Sequence, residues 1–184
     1  ALSALGHLVG RGVAIPWAAV TRGLARARWP GRLERCPGHP RLWCDGAHNV
    51  SAAMKLSRCW HDETRTGAIV IAMSRDKDVE EFVHALRWDF SGATILATRS
   101  RSERAMEPAA IAAPARTFGF ETREASDVPT AVRDALELAG EAPVLLTGSL
   151  FAVGEAMEAF GGAPGAWLWT ASPGGEWQAG VPPG

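Results

Sequence analysis

Apolar and polar positions change rhythm twice along this chain. The first thirty residues carry helical spacing: Ala1 to Val9 is rich in helix formers, and Pro16 suits the first turn of a second segment running to about Arg28. From residue 41 short apolar runs take over, at Arg41–Cys44, Ala68–Ala72, Ala93–Ala97 and Val144–Thr147. Amphipathic stretches separate them. Their spacing predicts helices at Ser51–Trp60, Val79–Leu86, Pro108–Phe118 and Val128–Ala139, then Leu150–Phe160 after the last strand. Near-continuous apolar strands joined by helical crossovers are the pattern of an α/β fold, a mostly parallel sheet with helices on both faces. Its strand-to-helix turns then lie along one edge, where such sheets bind ligands.

After Phe160 glycine and proline crowd the chain to Gly184, a composition expected to give a mobile tail without helix or strand of any length. Trp167, Trp169 and Trp177 in that tail offer a means of docking it on the domain or on a partner. The opening in mid-helix pattern, with neither methionine nor cap, is expected of a chain cut from something longer.

Composition narrows the classes. With 184 residues, 47% of them apolar and 21% charged, the chain suits one globular domain and excludes general disorder and fibre. Nineteen basic against twenty acidic residues leave a net charge of −1, so there is no electrostatic footprint for nucleic acid or an anionic membrane. No apolar run is long enough to span a bilayer, and the N-terminus lacks the order of a secretory signal. Three cysteines argue against a disulfide framework and for a reducing compartment, so the expected location is the cytoplasm. The only lysines, Lys55 and Lys77, follow Met54 and Asp76, so the glycine-lysine phosphate loop of nucleotide hydrolases is absent. The dinucleotide G-x-G-x-x-G run is absent too.

Two turns carry unusual chemistry. Asp45-Gly46-Ala47-His48-Asn49 follows a strand and precedes a helix. A carboxylate there can accept from a ribose diol or hold a cation, Gly46 permits a tight turn, and His48 offers an imidazole able to give or take a proton. The same residues fit a plainer role, with Asn49 or Ser51 capping the helix and Asp45 bracing the turn. Thr147-Gly148-Ser149 stands at the last strand-to-helix turn, where Ser149 can bind a carboxylate or simply cap a helix. In Trp29-Pro30-Gly31-Arg32 a bend presents an arginine, either to clamp a phosphate bidentately or merely to face solvent. Asp76-Lys77-Asp78 reads as acids favouring the dipole of the helix at Val79. The spacings of Cys36, His39, Cys44, His48, Cys59 and His61 match no zinc pattern, and no metal site is expected.

Taken together, Trp29-Pro-Gly-Arg-Leu-Glu34 and the strand ending in Asp45-Gly-Ala-His-Asn49 resemble the folylpolyglutamate synthase/dihydrofolate synthase family of the Mur ligase superfamily. Ala72-Met-Ser-Arg-Asp-Lys-Asp78, Arg104-Ala105 and Leu146-Thr-Gly-Ser-Leu150 follow in the same order, and Val50 replaces the family's usual proline. The resemblance implies the Rossmann-like C-terminal domain of a ligase that adds L-glutamate to folate, using ATP and Mg2+, through an acyl phosphate. It implies that residues 1–35 are a helical segment and hinge from a missing N-terminal ATPase domain, which holds most of the ATP, the magnesium and the folate. Residues 36–160 would be the glutamate-ligase domain and residues 161–184 the tail. By the same resemblance Arg32 approaches the ATP phosphates, Asp45 holds the nucleotide, His48 lies near the reacting centre and Ser149 helps to bind glutamate. A Mur-type ligase for another acceptor and a non-catalytic binding module are the competing readings.

Overall fold

A computed structural model describes residues 2–27, 29–36, 38–60, 66–161, 170–171 and 177–178. Two helices come first, α1 (Leu2–Gly10) and α2 (Trp17–Arg26). The pair β1 (Glu34–Cys36) and β2 (His39–Cys44) leads to α3 (Val50–Cys59). Strand and helix then alternate through β3 (Ala68–Ile71), α4 (Val79–Leu86), β4 (Thr94–Ala97) and α5 (Pro108–Thr117). The alternation ends with β5 (Thr122–Glu124), α6 (Val128–Ala139), β6 (Val144–Thr147) and α7 (Leu150–Phe160). Beyond it β7 (Thr170–Ala171) and β8 (Trp177–Gln178) pair antiparallel, two residues each, in a stretch expected to hold no strand. Whether Trp167 and Trp169 dock the tail lies outside the described residues.

The main sheet has six strands in the order β1-β2-β6-β3-β4-β5, all parallel except β1. Alternate strand side chains feed two separate cores. On one face Ile69, Ile71, Ile95 and Leu145 meet Leu56 of α3, Phe82 and Leu86 of α4, and Ile111 of α5. On the other, Val70, Leu96, Val144 and Leu146 meet Val132 and Leu136 of α6 with Val153 and Met157 of α7. Each such side chain, fully buried, contributes about 1.5–3 kcal/mol of transfer free energy. This agrees with the parallel, doubly covered sheet read from the apolar runs. The short strands β1 and β5 were not legible there, because Glu-Arg-Cys and Thr-Arg-Glu sit at the two sheet edges and carry no apolar run.

Sequence caps place the helix starts. Asn49, Asp78, Asp127 and Ser149 each accept a backbone N–H from the first turn of α3, α4, α6 and α7. α1 has no buried residue, and α2 buries only Val20.

Gly148 joins β6 to α7 at φ +99°, and a Cβ there would overlap the carbonyl oxygen of Ala72 at the end of β3. Gly119 has a similar φ of +87° but open space around it. Gly119→Ala is expected to cost about 1–2 kcal/mol from backbone strain alone. Gly148→Ala adds a backbone clash and is expected to cost at least about 3 kcal/mol, read from urea unfolding midpoints. Equal losses in the two variants would contradict this packing of the β6–α7 turn.

Candidate functional site

β6 lies between β2 and β3, and the helices that follow those strands run to opposite faces of the sheet: α3 and α4 to one, α7 to the other. The chain therefore diverges at the C-terminal ends of β2, β6 and β3, which opens crevices there for a ligand. The turns after β2 and β6 border them. They touch through Asp45 N, which donates to Leu146 O at 2.9 Å, and Thr147 Oγ1, which donates to Ala47 O at 3.5 Å.

Asp45 is only 8% exposed, and both its carboxylate oxygens are engaged. Oδ1 accepts from Ala47 N at 2.7 Å within the turn, and Oδ2 accepts from Leu33 N at 2.8 Å, twelve residues back in the chain. Gly46 N reinforces the junction by donating to Gly31 O at 2.7 Å, and Glu34 Oε2 accepts from Gly31 N at 3.0 Å. Gly46 lies close under Leu150 of α7, so a Cβ there would push the Leu150 side chain aside. Leu33 is the only described non-glycine residue at positive φ, 43°. Strain of that kind persists where the surroundings over-determine it, and here the Asp45 bond and the Gly31 stitches do so. The Trp-Pro-Gly-Arg bend is thus fastened to the sheet edge by the Asp-Gly-Ala turn.

The two walls so joined, residues 32–33 and α3, enclose a groove of about 560 Å³. Arg32 and Asp45 line it together, with Leu33, Asn49, Ser51, Ala52, Lys55, Leu56 and Cys59. Each Asp45 oxygen keeps a lone pair beyond the amide it holds. The sequence reading of two of the four candidates, Arg32 and Asp45, therefore coincides in one groove, and Asp45 braces the turn as well.

His48 and Ser149 do not line this groove. His48 Nδ1 lies 2.8 Å from Gly46 O. A carbonyl oxygen only accepts, so Nδ1 carries the proton and Nε2 keeps the lone pair in the neutral ring. Ser149 Oγ accepts from Phe151 N at 3.2 Å and Ala152 N at 3.5 Å, so it caps α7, and its own O–H remains to donate. It is 6% exposed, one turn along the sheet edge from Asp45.

Lys55 and Cys59 were not singled out from sequence. The available signal was helical spacing: Ala52, Lys55, Leu56 and Cys59 recur at one face of α3. Glu34 was missed because its partner is a backbone amide, which no composition rule marks.

The turn after β3 is a charge network. Asp76 pairs with Lys77 at 3.0 Å and with Arg104 at 2.9 Å, and these bonds, Lys77 first, hold its carboxyl below the usual carboxylate range. Asp78 caps α4 by accepting from Glu81 N at 3.0 Å. Burial pushes the thiols of Cys44 and Cys36 up, so neither offers a thiolate at neutral pH, whereas Cys59 is exposed. Among the described residues no group of three or more His, Cys, Asp or Glu is placed to hold a metal ion.

Comparison with known proteins covers both turns. Residues 31–150 match the family described as Mur ligase, glutamate ligase domain. Dihydrofolate synthase/folylpolyglutamate synthase of Mycobacterium tuberculosis is 32% identical over 164 residues, covering 79% of this chain and 33% of that protein. The structure of Mycobacterium tuberculosis folylpolyglutamate synthase complexed with ADP superposes with a TM-score of 0.73 at 29% identity, over 83% of this chain and 37% of that one. The bifunctional Yersinia pestis enzyme complexed with AMPPNP and Mn ion superposes at 0.69 with 25% identity, over 85% and 37%. The chain thus spans about a third of the length of these relatives. With the diverging sheet edge and its two clipped turns inside the matched span, the chain belongs to the Mur ligase family as its glutamate ligase domain.

Proposed function

We propose that this chain is the C-terminal part of an ATP-dependent ligase that adds L-glutamate to the γ-carboxylate of a folate. The observation that carries the reading is the clip of Asp45 on Leu33, which holds the bend bearing Arg32 beside the groove that Asp45 also lines. The naming of the relatives and the ADP and AMPPNP held by two of them support it. Residues 1–35 then lead in from the ATPase part of the ligase as helices and hinge, residues 36–160 form the glutamate-ligase domain, and residues 161–184 are its tail.

The chemistry has two transfers. A folate carboxylate oxygen attacks the γ-phosphorus of ATP and ADP leaves; the glutamate amine then attacks the acyl carbon, phosphate leaves, and the amine loses a proton. Charge builds on phosphate oxygens in the first transfer and on the acyl oxygen in the second, so positioned donors supply most of the acceleration. Arg32 offers a planar two-pronged donor for phosphate oxygens. The spare lone pairs of Asp45 accept from ribose hydroxyls. The Nε2 lone pair of His48, set by the Gly46 carbonyl, takes a proton near the reacting centre. The free O–H of Ser149 donates to a glutamate carboxylate, backed by the amides that open α7. By the family resemblance magnesium is held by the ATPase part of the ligase, and no step is drawn through it.

The test is glutamate addition by the protein at its native length, captured from its source with an antibody to this domain. ATP-dependent incorporation of labelled glutamate into a folate is expected, with one ADP released per glutamate. Arg32→Ala is expected to lower kcat/KM about a hundredfold. Ser149→Ala is expected to raise the KM for glutamate about tenfold while the KM for ATP holds, a split that loss of a helix cap alone does not produce. No incorporation, or unchanged kinetics in both variants, would contradict the assignment.

A further inference from the structure

Among the described residues only two carboxylates are buried, Asp45 and Glu155, each 8% exposed. A buried carboxylate is costly unless its oxygens are hydrogen-bonded, and both meet that need with a backbone amide from a distant segment. Asp45 takes Leu33 N; Glu155 Oε1, on α7, takes Arg101 N at 2.7 Å, 54 residues back in the chain. The Arg101 side chain is 71% exposed and pairs at the surface, with Glu158 at 2.6 Å and more loosely with Glu155 at 3.7 Å. Exposed pairs of that kind contribute little, so the bond to the amide is the one that matters.

Arg101 belongs to the loop after β4, whose two ends are pinned to the end of β3. Thr98 N donates to Ile71 O at 2.9 Å and Met106 N to Met73 O at 2.7 Å. The β6–α7 turn presses on that same end of β3, with Gly148 against the Ala72 carbonyl. Loop and turn are therefore neighbours. Glu155, within two turns of Ser149 on α7, is a buried side chain that ties them together.

We propose that Glu155 is a positioning residue for glutamate addition: by holding the Arg101 amide it fixes α7 against the loop after β4 and so sets the Ser149 hydroxyl at the crevice between β6 and β3. The inference rests on the reading of Ser149 as a donor to a glutamate carboxylate, and adds the residue that aims it. The bonds of Ser149 itself do not do so, because they run to the amides of its own helix and move with it.

The test pairs amide exchange with kinetics at native length. Glu155→Met keeps the bulk of the side chain but has no oxygen to accept, whereas Glu155→Gln keeps the acceptor. The Arg101 amide is expected to be protected in the native protein and in Glu155→Gln. In Glu155→Met it is expected to exchange freely while the amides of α7 stay protected. Glu155→Met is expected to raise the KM for glutamate about three- to tenfold and leave the KM for ATP unchanged, with Glu155→Gln restoring most of it. In a Ser149→Ala background the same change is expected to add less than about twofold, since the two act as one unit. Glu158→Ala, which breaks only the surface pair, is expected to change neither KM. An unprotected Arg101 amide in the native protein would overturn the positioning role. So would a KM for glutamate that Glu155→Met leaves alone, or moves together with that for ATP, or an effect that adds in full to Ser149→Ala. In each of those cases glutamate incorporation still stands for the ligase reading. A native protein that adds no glutamate removes that reading, and the inference with it.

Discussion

The carboxylate of Asp45 accepts two backbone amides from separate segments of the chain, and the site is organised around that fact. One amide, from Ala47, shapes the turn that starts α3; the other, from Leu33, fastens a bend from the preceding segment. Hydrogen bonds to a charged partner are worth about 1.5–3 kcal/mol each, enough to offset the strain of Leu33 at positive φ. An asparagine would turn an N–H₂ toward one of those donors, so a similar shape does not substitute for the charge.

The sheet decides where this junction falls. Because β6 is inserted between β2 and β3 while its helix runs to the opposite face, three turns are brought side by side at the C-terminal edge. Close packing then demands glycine at one of them, Gly148 against the Ala72 carbonyl, and brings Gly46 close under the Leu150 side chain. Ser149 is held by its cap to α7, and His48 by its bond to Gly46. The groups with chemistry are therefore fixed by backbone contacts rather than by each other, which leaves Arg32, Lys55 and the Ser149 hydroxyl proton unspent.

Much of this was legible in the chain. α4, α6, β6 and α7 begin and end where periodicity put them, since each has an unbroken apolar face and three of the four have a polar cap or first-turn proline. β1 and β5 were not, because edge strands need no apolar run. The two roles of Asp45 were undecidable from spacing, for its second partner is twelve residues away and a backbone amide leaves no mark in sequence. Lys55 is one of only two lysines, and only the folded chain shows that it lines one groove with Arg32.

The most direct measurement is amide hydrogen exchange at Leu33 and Ala47, in the native chain and in Asp45→Ala. The account expects both amides to be protected in the native chain and both to exchange freely in the variant, while the amides of β3 and β6 keep their protection. A Leu33 amide that exchanges at an unprotected rate in the native chain, or that is unaffected by the substitution, would contradict it.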